Sequence, residues 1–180
     1  MTIFQRSFLT LTATILILTI LWQKTVSHLE HSFSIIGLAE TNIDSVNKDS
    51  YQITDDYSSV YQSKIEGKNK GSGVGLYVHN KYNFSTLENI SLCQSDIETL
   101  FIKITDLPEP VTVGIIYRPP SGEVVNFNKE LQAILTELPD KNVYIMGDFN
   151  INLHDLSCTP HQEYEEMVIS SGYSPLISIS

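Results

Sequence analysis

The chain has 180 residues, 42% of them hydrophobic and 18% charged, with a formal net charge of -10. That length supports one folded domain burying roughly 70% of its unfolded surface, without repeats or low-complexity tracts. Cys93 and Cys158 form no CxxC pair, which argues against a zinc site or a disulfide framework and makes a reducing compartment the default; the acidity opposes a broad nucleic-acid surface while suiting carboxylates gathered at a metal ion.

The first element is the uncharged stretch FLTLTATILILTILW, residues 8–22, between Arg6 and Lys24. Two readings stand. One is a membrane helix or signal anchor just under spanning length, with no A-x-A-like cleavage site in WQKTVSHLEHS. The other is a core strand running into a helix, because Ile and Thr favour strands and a buried strand can be apolar throughout. Residues 1–29 are accordingly set apart as a divergent N-terminal segment, and residues 30–180 as the domain. His28 and His31 could share a helix face and bind metal, but a solvated helix end is the simpler reading and they are given no role.

FSIIGLA, Phe33 to Ala39, predicts a buried strand that delivers Glu40 to a sheet end. The polar, tyrosine-bearing stretch from Asp44 to Tyr61, with KIEGKNKGSG and the strand VGLYV after it, reads as surface loop and hairpin. Gly71, Gly73 and Gly75 do not read as a phosphate loop, because the loop opens onto a strand and not a helix N-terminus. TLFIKI, Thr99 to Ile104, and VTVGIIYR, Val111 to Arg118, predict further strands, broken by DLPEP and by Pro119-Pro120.

After a Ser121-Gly122 turn, Phe127, Leu131, Ile134, Leu135 and Leu138 recur at helical spacing, with Asn126 as N-cap and Pro139 as stop. Val143 to Met146 predicts a buried strand releasing Gly147, Asp148 and Asn150 at its C-terminal edge. A last helix has Thr159 as N-cap, Pro160 at its first position, Gln162 closing a capping box, and Gly172 at its end. The pattern is α+β, with more strand than helix.

Glu40, Tyr117 with Arg118, and Asp148 with Asn150 all follow apolar strands. Each alone reads as a turn residue. Together they read as a site, because a rigid sheet presents groups distant in sequence at its strand ends. In order along the chain, AET at Ala39 to Thr41, GSGVGLYV at Gly71 to Val78, IETLFIKI at Ile97 to Ile104, YRPPSG at Tyr117 to Gly122 and MGDFN at Met146 to Asn150 resemble the apurinic-endonuclease-like domain of non-LTR (LINE-type) retrotransposons, within the endonuclease/exonuclease/phosphatase superfamily.

The resemblance implies a four-layer α/β/β/α sandwich of two packed mixed sheets flanked by helices. It implies Mg²⁺- or Mn²⁺-assisted hydrolysis of a DNA phosphodiester by a monomer in the nucleus or cytoplasm. Glu40 matches the metal-binding glutamate, Asp148 the aspartate that orients and deprotonates the attacking water, Asn150 the asparagine that helps hold the phosphate, and Tyr117 a tyrosine that hydrogen-bonds it. Arg118 matches a position that could add positive charge toward substrate or serve its loop.

Residues 1–39 hold no asparagine to match the family's opening Asn, and no Ser-Asp-His motif follows, Asp155 and His161 being the last aspartate and histidine. His154-Asp155, so near Asp148, reads as a loop pair. The expectation is a domain incomplete at both ends, with exposed sheet edges and an impaired or absent turnover. A non-catalytic remnant or binding module is the alternative. A single-pass membrane protein inserted through residues 8–22 is the second.

Overall fold

A computed structural model describes residues 33–43, 55–63, 72–139, 141–151 and 159–174, and the backbone path of 8–12. Among the described residues two four-stranded sheets form. Sheet A contains β1 (Phe8–Thr12), β2 (Ile35–Ala39), β3 (Tyr57–Gln62) and β4 (Val74–His79) in the order β1-β2-β4-β3. Sheet B contains β5 (Phe84–Thr86), β6 (Glu98–Ile104), β7 (Val111–Tyr117) and β8 (Val143–Asp148) in sequence order. Each sheet is mixed: β1 runs parallel to β2 and β7 to β8, and the remaining pairs are antiparallel.

Strand alternation divides the apolar residues between layers. Leu100, Ile102 and Ile104 of β6 and Val111, Val113, Ile115 and Tyr117 of β7 face sheet A, where they meet Ile35, Ala39, Val74, Leu76 and Val78. The intervening positions, Phe101 and Ile116, face α1 (Val124–Glu137) and α2 (Thr159–Ser170). Phe127, Leu131, Ile134 and Leu135 form the buried stripe of α1, and Tyr164 and Met167 anchor α2. Fully burying a side chain such as Phe127 contributes roughly 1.5–3 kcal/mol. The far face of sheet A buries Ile36, Leu38, Tyr57 and Tyr77. The architecture is thus an α+β sandwich with two sheets in its middle; the fourth layer of the expected arrangement lies outside the described residues.

Several expectations are corrected. The helix α1 begins at Val124 and not after Asn126; Glu123 takes the capping position without a side-chain cap of its own. The Asp96 carboxylate, from a distant loop, holds this end of the helix, accepting from the Glu123 amide at 2.9 Å and from Asn126 Nδ2 at 3.4 Å. This places a negative charge at the positive end of the helix dipole. Strand β8 is half-buried along its whole length and extends to Asp148. Among the described residues it is the outermost strand of sheet B, with β7 as its strand neighbour. Thr159 is the first residue of α2.

At the other end of α2, Gly172 takes a left-handed φ of 82°. Its amide reaches the Ile169 carbonyl at 2.9 Å while the Tyr173 amide reaches Val168 at 3.1 Å, the two bonds of a Schellman stop. Of the N-terminal apolar stretch, residues 8–12 form a strand paired with β2, and 13–22 lie outside the described residues. Among the described residues no helix is long and apolar enough to cross a membrane. His28, His31, His154, Asp155 and Cys158 also lie outside the described residues.

Gly147 sits opposite Ile116 in the β7–β8 register, where an added Cβ would lie 1.8 Å from the Ile116 carbonyl oxygen. Because that obstacle is backbone, Gly147→Ala is expected to cost more than about 3 kcal/mol in urea unfolding. Burial raises the Tyr164 phenol from 10.0 to about 12. The neutral phenol is therefore favoured by folding. Its contribution is complete below pH 10 and is lost as pH rises from there toward 12, amounting to about 3 kcal/mol. Thermal unfolding between pH 9 and 12 should show a fall that Tyr164→Phe makes shallower.

Candidate active site

Period-two alternation carries Tyr117 and Asp148 to the same end and the same face of sheet B. Tyr117 continues the inward series of Val113 and Ile115, Asp148 that of Tyr144 and Met146, and the two residues are register partners. On sheet A, Ala39 faces inward at the end of β2, and Glu40 follows it. The Tyr117 hydroxyl donates to Glu40 Oε1 at 2.5 Å, joining the sheets at this end.

Tyr117 is fully buried, and its phenol is pushed well above the ordinary tyrosine range. Burial is the main cause, followed by the hydrogen bond to Glu40 and then by the negative charges of Glu40, Glu98 and Asp148. The group consequently stays protonated at neutral pH and acts as a donor. Three carboxylates around one phenol make this the acidic end of the sandwich.

The turn that carries Glu40 is bent in an unusual way. Glu40 and Asn42 have φ of 56° and 49°, the left-handed region that costs a side-chain-bearing residue roughly 1–3 kcal/mol. Bonds around the turn hold it: the Thr41 amide to Gly73 O at 2.9 Å, the Asn42 amide to Ser72 O at 2.7 Å, and Asn42 Nδ2 to Glu40 O at 2.9 Å.

The segment after β8 is shaped with equal care. Asn150 has φ 49°, its amide donates to Asp148 Oδ1 at 3.2 Å, and its Nδ2 donates to the Arg118 carbonyl at 2.8 Å. Between them Phe149 turns the other way and packs on Phe127 and Tyr164, with ring centroids 6.1 and 5.8 Å distant. The aromatic anchors the loop to the helices and leaves Asp148 on the site side.

Arg118 is 5% exposed. Its Nε donates to Phe149 O at 2.7 Å, Nη1 to Gly122 O at 2.5 Å and to Pro119 O at 3.4 Å, and Nη2 to Asn150 O. Four of its five donors are thereby spent on backbone carbonyls. Of the two roles open to it in the sequence, these bonds are those of a loop brace, with one donor left over. Burial lowers its pKa, and Asp148 heads the charges that oppose the shift.

Sequence reasoning assigned nothing to Glu98, although its position was readable. It extends the inward series of Leu100, Ile102 and Ile104 by one step, which puts a carboxylate in the core opposite Tyr117.

Arg118→Lys keeps the charge but loses the planar fork, leaving buried carbonyls unpaired. A loss of about 2–4 kcal/mol is expected in chemical unfolding.

No protein-family model matches the chain, and no curated protein matches it. Solved structures do. The endonuclease domain of TRAS1, a telomere-specific non-LTR retrotransposon, is similar with a TM-score of 0.64 at 9% identity over 91% of this chain and 70% of that one. The AP endonuclease LMAP from Leishmania major superposes with a TM-score of 0.61 at 12% identity, covering 91% of this chain and 65% of its own. TDP2 from D. rerio, complexed with a single-strand DNA product, gives 0.53 at 12% identity, covering 88% of this chain and 58% of its own. The chain thus spans less than two thirds of the last two, and at these identities the likeness is one of fold. The chain has the endonuclease/exonuclease/phosphatase-type fold, with Glu40, Tyr117, Asp148 and Asn150 at one end of its paired sheets.

Proposed function

We propose that the chain is a divalent-metal-dependent phosphodiester hydrolase of retrotransposon origin that acts on DNA. The observation that carries this reading is the Tyr117–Glu40 hydrogen bond between the sheets, with Asp148 on the strand beside it. The fold shared with the TRAS1 endonuclease domain and LMAP supports it.

Among the described residues no group of three or more His, Cys, Asp and Glu side chains could cage a metal ion. Mg²⁺ does not need such a cage. It keeps most of its waters and binds through one or two carboxylates together with substrate phosphate. The part-exposed Glu40 carboxylate, a hard oxygen donor, fits that mode and would hold the ion. A bound Mg²⁺ or Mn²⁺ would supply charge stabilisation to the phosphoryl oxygens.

The chain's own groups divide the remaining work. Asp148, at the mouth of the strand pair, takes a proton from water and orients it. Tyr117, held protonated, donates toward a phosphate oxygen, the same proton it gives Glu40 in the free protein. Asn150 has one amide N–H left after its bond to Arg118, and turns it to the phosphate. Arg118 positions the Asp148–Asn150 loop. The net charge of -10 gives DNA few contacts outside the site, so binding is weak and its salt dependence shallow.

Residues 1–180 contain no Ser-Asp-His motif, so these residues by themselves are expected to turn over slowly. A second reading is a non-catalytic binding module on the same fold.

Nicking of supercoiled plasmid separates the two. Slow, Mg²⁺-dependent nicking that falls about 100- to 10,000-fold in Asp148→Ala is expected. Nicking that survives that substitution removes the mechanism, and a wild-type chain that never nicks favours the module.

A further inference from the structure

Glu98 is 0% exposed, yet it is a carboxylate. It opens β6 on the face that looks into the sandwich, opposite Tyr117 on β7. Removing such a group from water is costly unless its oxygens are satisfied. Both are: Ser72 Oγ donates to Oε1 at 2.6 Å and the Gly73 amide donates to Oε2 at 2.5 Å.

The two donors belong to the other sheet. Ser72 and Gly73 lead into β4, and their carbonyls are the acceptors that hold the amides of Asn42 and Thr41. A continuous chain of hydrogen bonds therefore runs from sheet B into sheet A: Glu98, then the Ser72-Gly73 backbone, then the left-handed turn of Glu40 to Asn42. The same turn is bridged a second time by Tyr117 to Glu40. Nothing in a β-ladder favours a left-handed glutamate; the turn is bonded to the Ser72-Gly73 backbone beside it, and that segment is bonded in turn to Glu98.

We propose that Glu98 is a positioning residue, whose buried carboxylate clamps Ser72 and Gly73 and so sets the Glu40 carboxylate where a divalent cation and Tyr117 can both reach it. The cation half of this statement rests on the function proposed above; the structural half does not. The action is through hydrogen bonds, which distinguishes it from a simple charge effect. Glutamine is the discriminating substitution, since its amide can accept from Gly73 N–H and donate to Ser72 Oγ.

The test uses the full chain and two measurements. Amide hydrogen exchange reads the turn directly. In Glu98→Ala the Thr41 and Asn42 amides should lose about tenfold or more of their protection while the Leu138 amide, bonded to Ile134 O in α1, keeps its own. Glu98→Gln should restore them to within about threefold of wild type. Titration with Mn²⁺ alone reads the site, where Glu98→Ala should weaken binding about 10- to 100-fold and Glu98→Gln should rescue it.

Unchanged protection at Thr41 and Asn42 in Glu98→Ala overturns the proposal, as does a Glu98→Gln variant as damaged as the alanine. If Glu98→Ala fails to fold, Ser72→Ala, which removes one of the two clamps, decides: local loss of protection at Asn42 supports the proposal and no loss overturns it. A wild-type chain that binds no Mn²⁺ sinks the metal reading of the site, and the exchange measurement still decides the role of Glu98.

Discussion

Everything at the candidate site depends on two sheets packing face to face with their strand ends in step. Strand alternation then turns a run of inward apolar residues into an inward polar one at the last position. Val111, Val113 and Ile115 lead to Tyr117; Tyr144 and Met146 lead to Asp148; Ile35 and Ala39 lead to the turn of Glu40. The apolar members exclude water and hold the sheets together. The terminal members inherit that rigidity, and a low dielectric on their inner side strengthens each hydrogen bond they make. The bond from Tyr117 to Glu40 therefore links the two sheets at the candidate site.

Much of this was legible in the sequence because it follows from periodicity. Strands β6 and β7, the stripe of α1 and the stop at Gly172 were found where apolar spacing and glycine put them. What escaped were features set by partners far along the chain. The N-terminus of α1 was misplaced because the turn before it is held by Asp96, brought over from the loop before β6, and no local pattern around Asn126 reports that. Strand β8 read as buried because VYIM is apolar, but burial also needs a neighbour on each side, which is a matter of sheet order. The bracing of two loops by Arg118 could not be read from its motif, because it rests on carbonyls brought together from far along the chain.

Glu98 is the opposite case, a residue whose signal was present and unused. An acidic side chain one step beyond Leu100, Ile102 and Ile104 breaks the rule that inward positions are apolar. Such violations of local consistency tend to mark functional or strained places. The left-handed backbone at Glu40, Asn42 and Asn150 is the same kind of mark, visible only in three dimensions. These lie with Glu98 at the strand ends of the candidate site, whereas a fourth left-handed residue, Asn142, precedes β8 at its opposite end.

The brace made by Arg118 links two loops that are far apart in sequence. Its guanidinium ties the carbonyl of Gly122, in the turn after β7, to those of Phe149 and Asn150, in the turn after β8, and Asn150 returns a bond to the Arg118 carbonyl. YRPPSG and GDFN thus behave as a single cassette. Lengthening either turn by a residue would pull the arginine off the other, so the pair can be transplanted onto a related scaffold together but not exchanged one at a time.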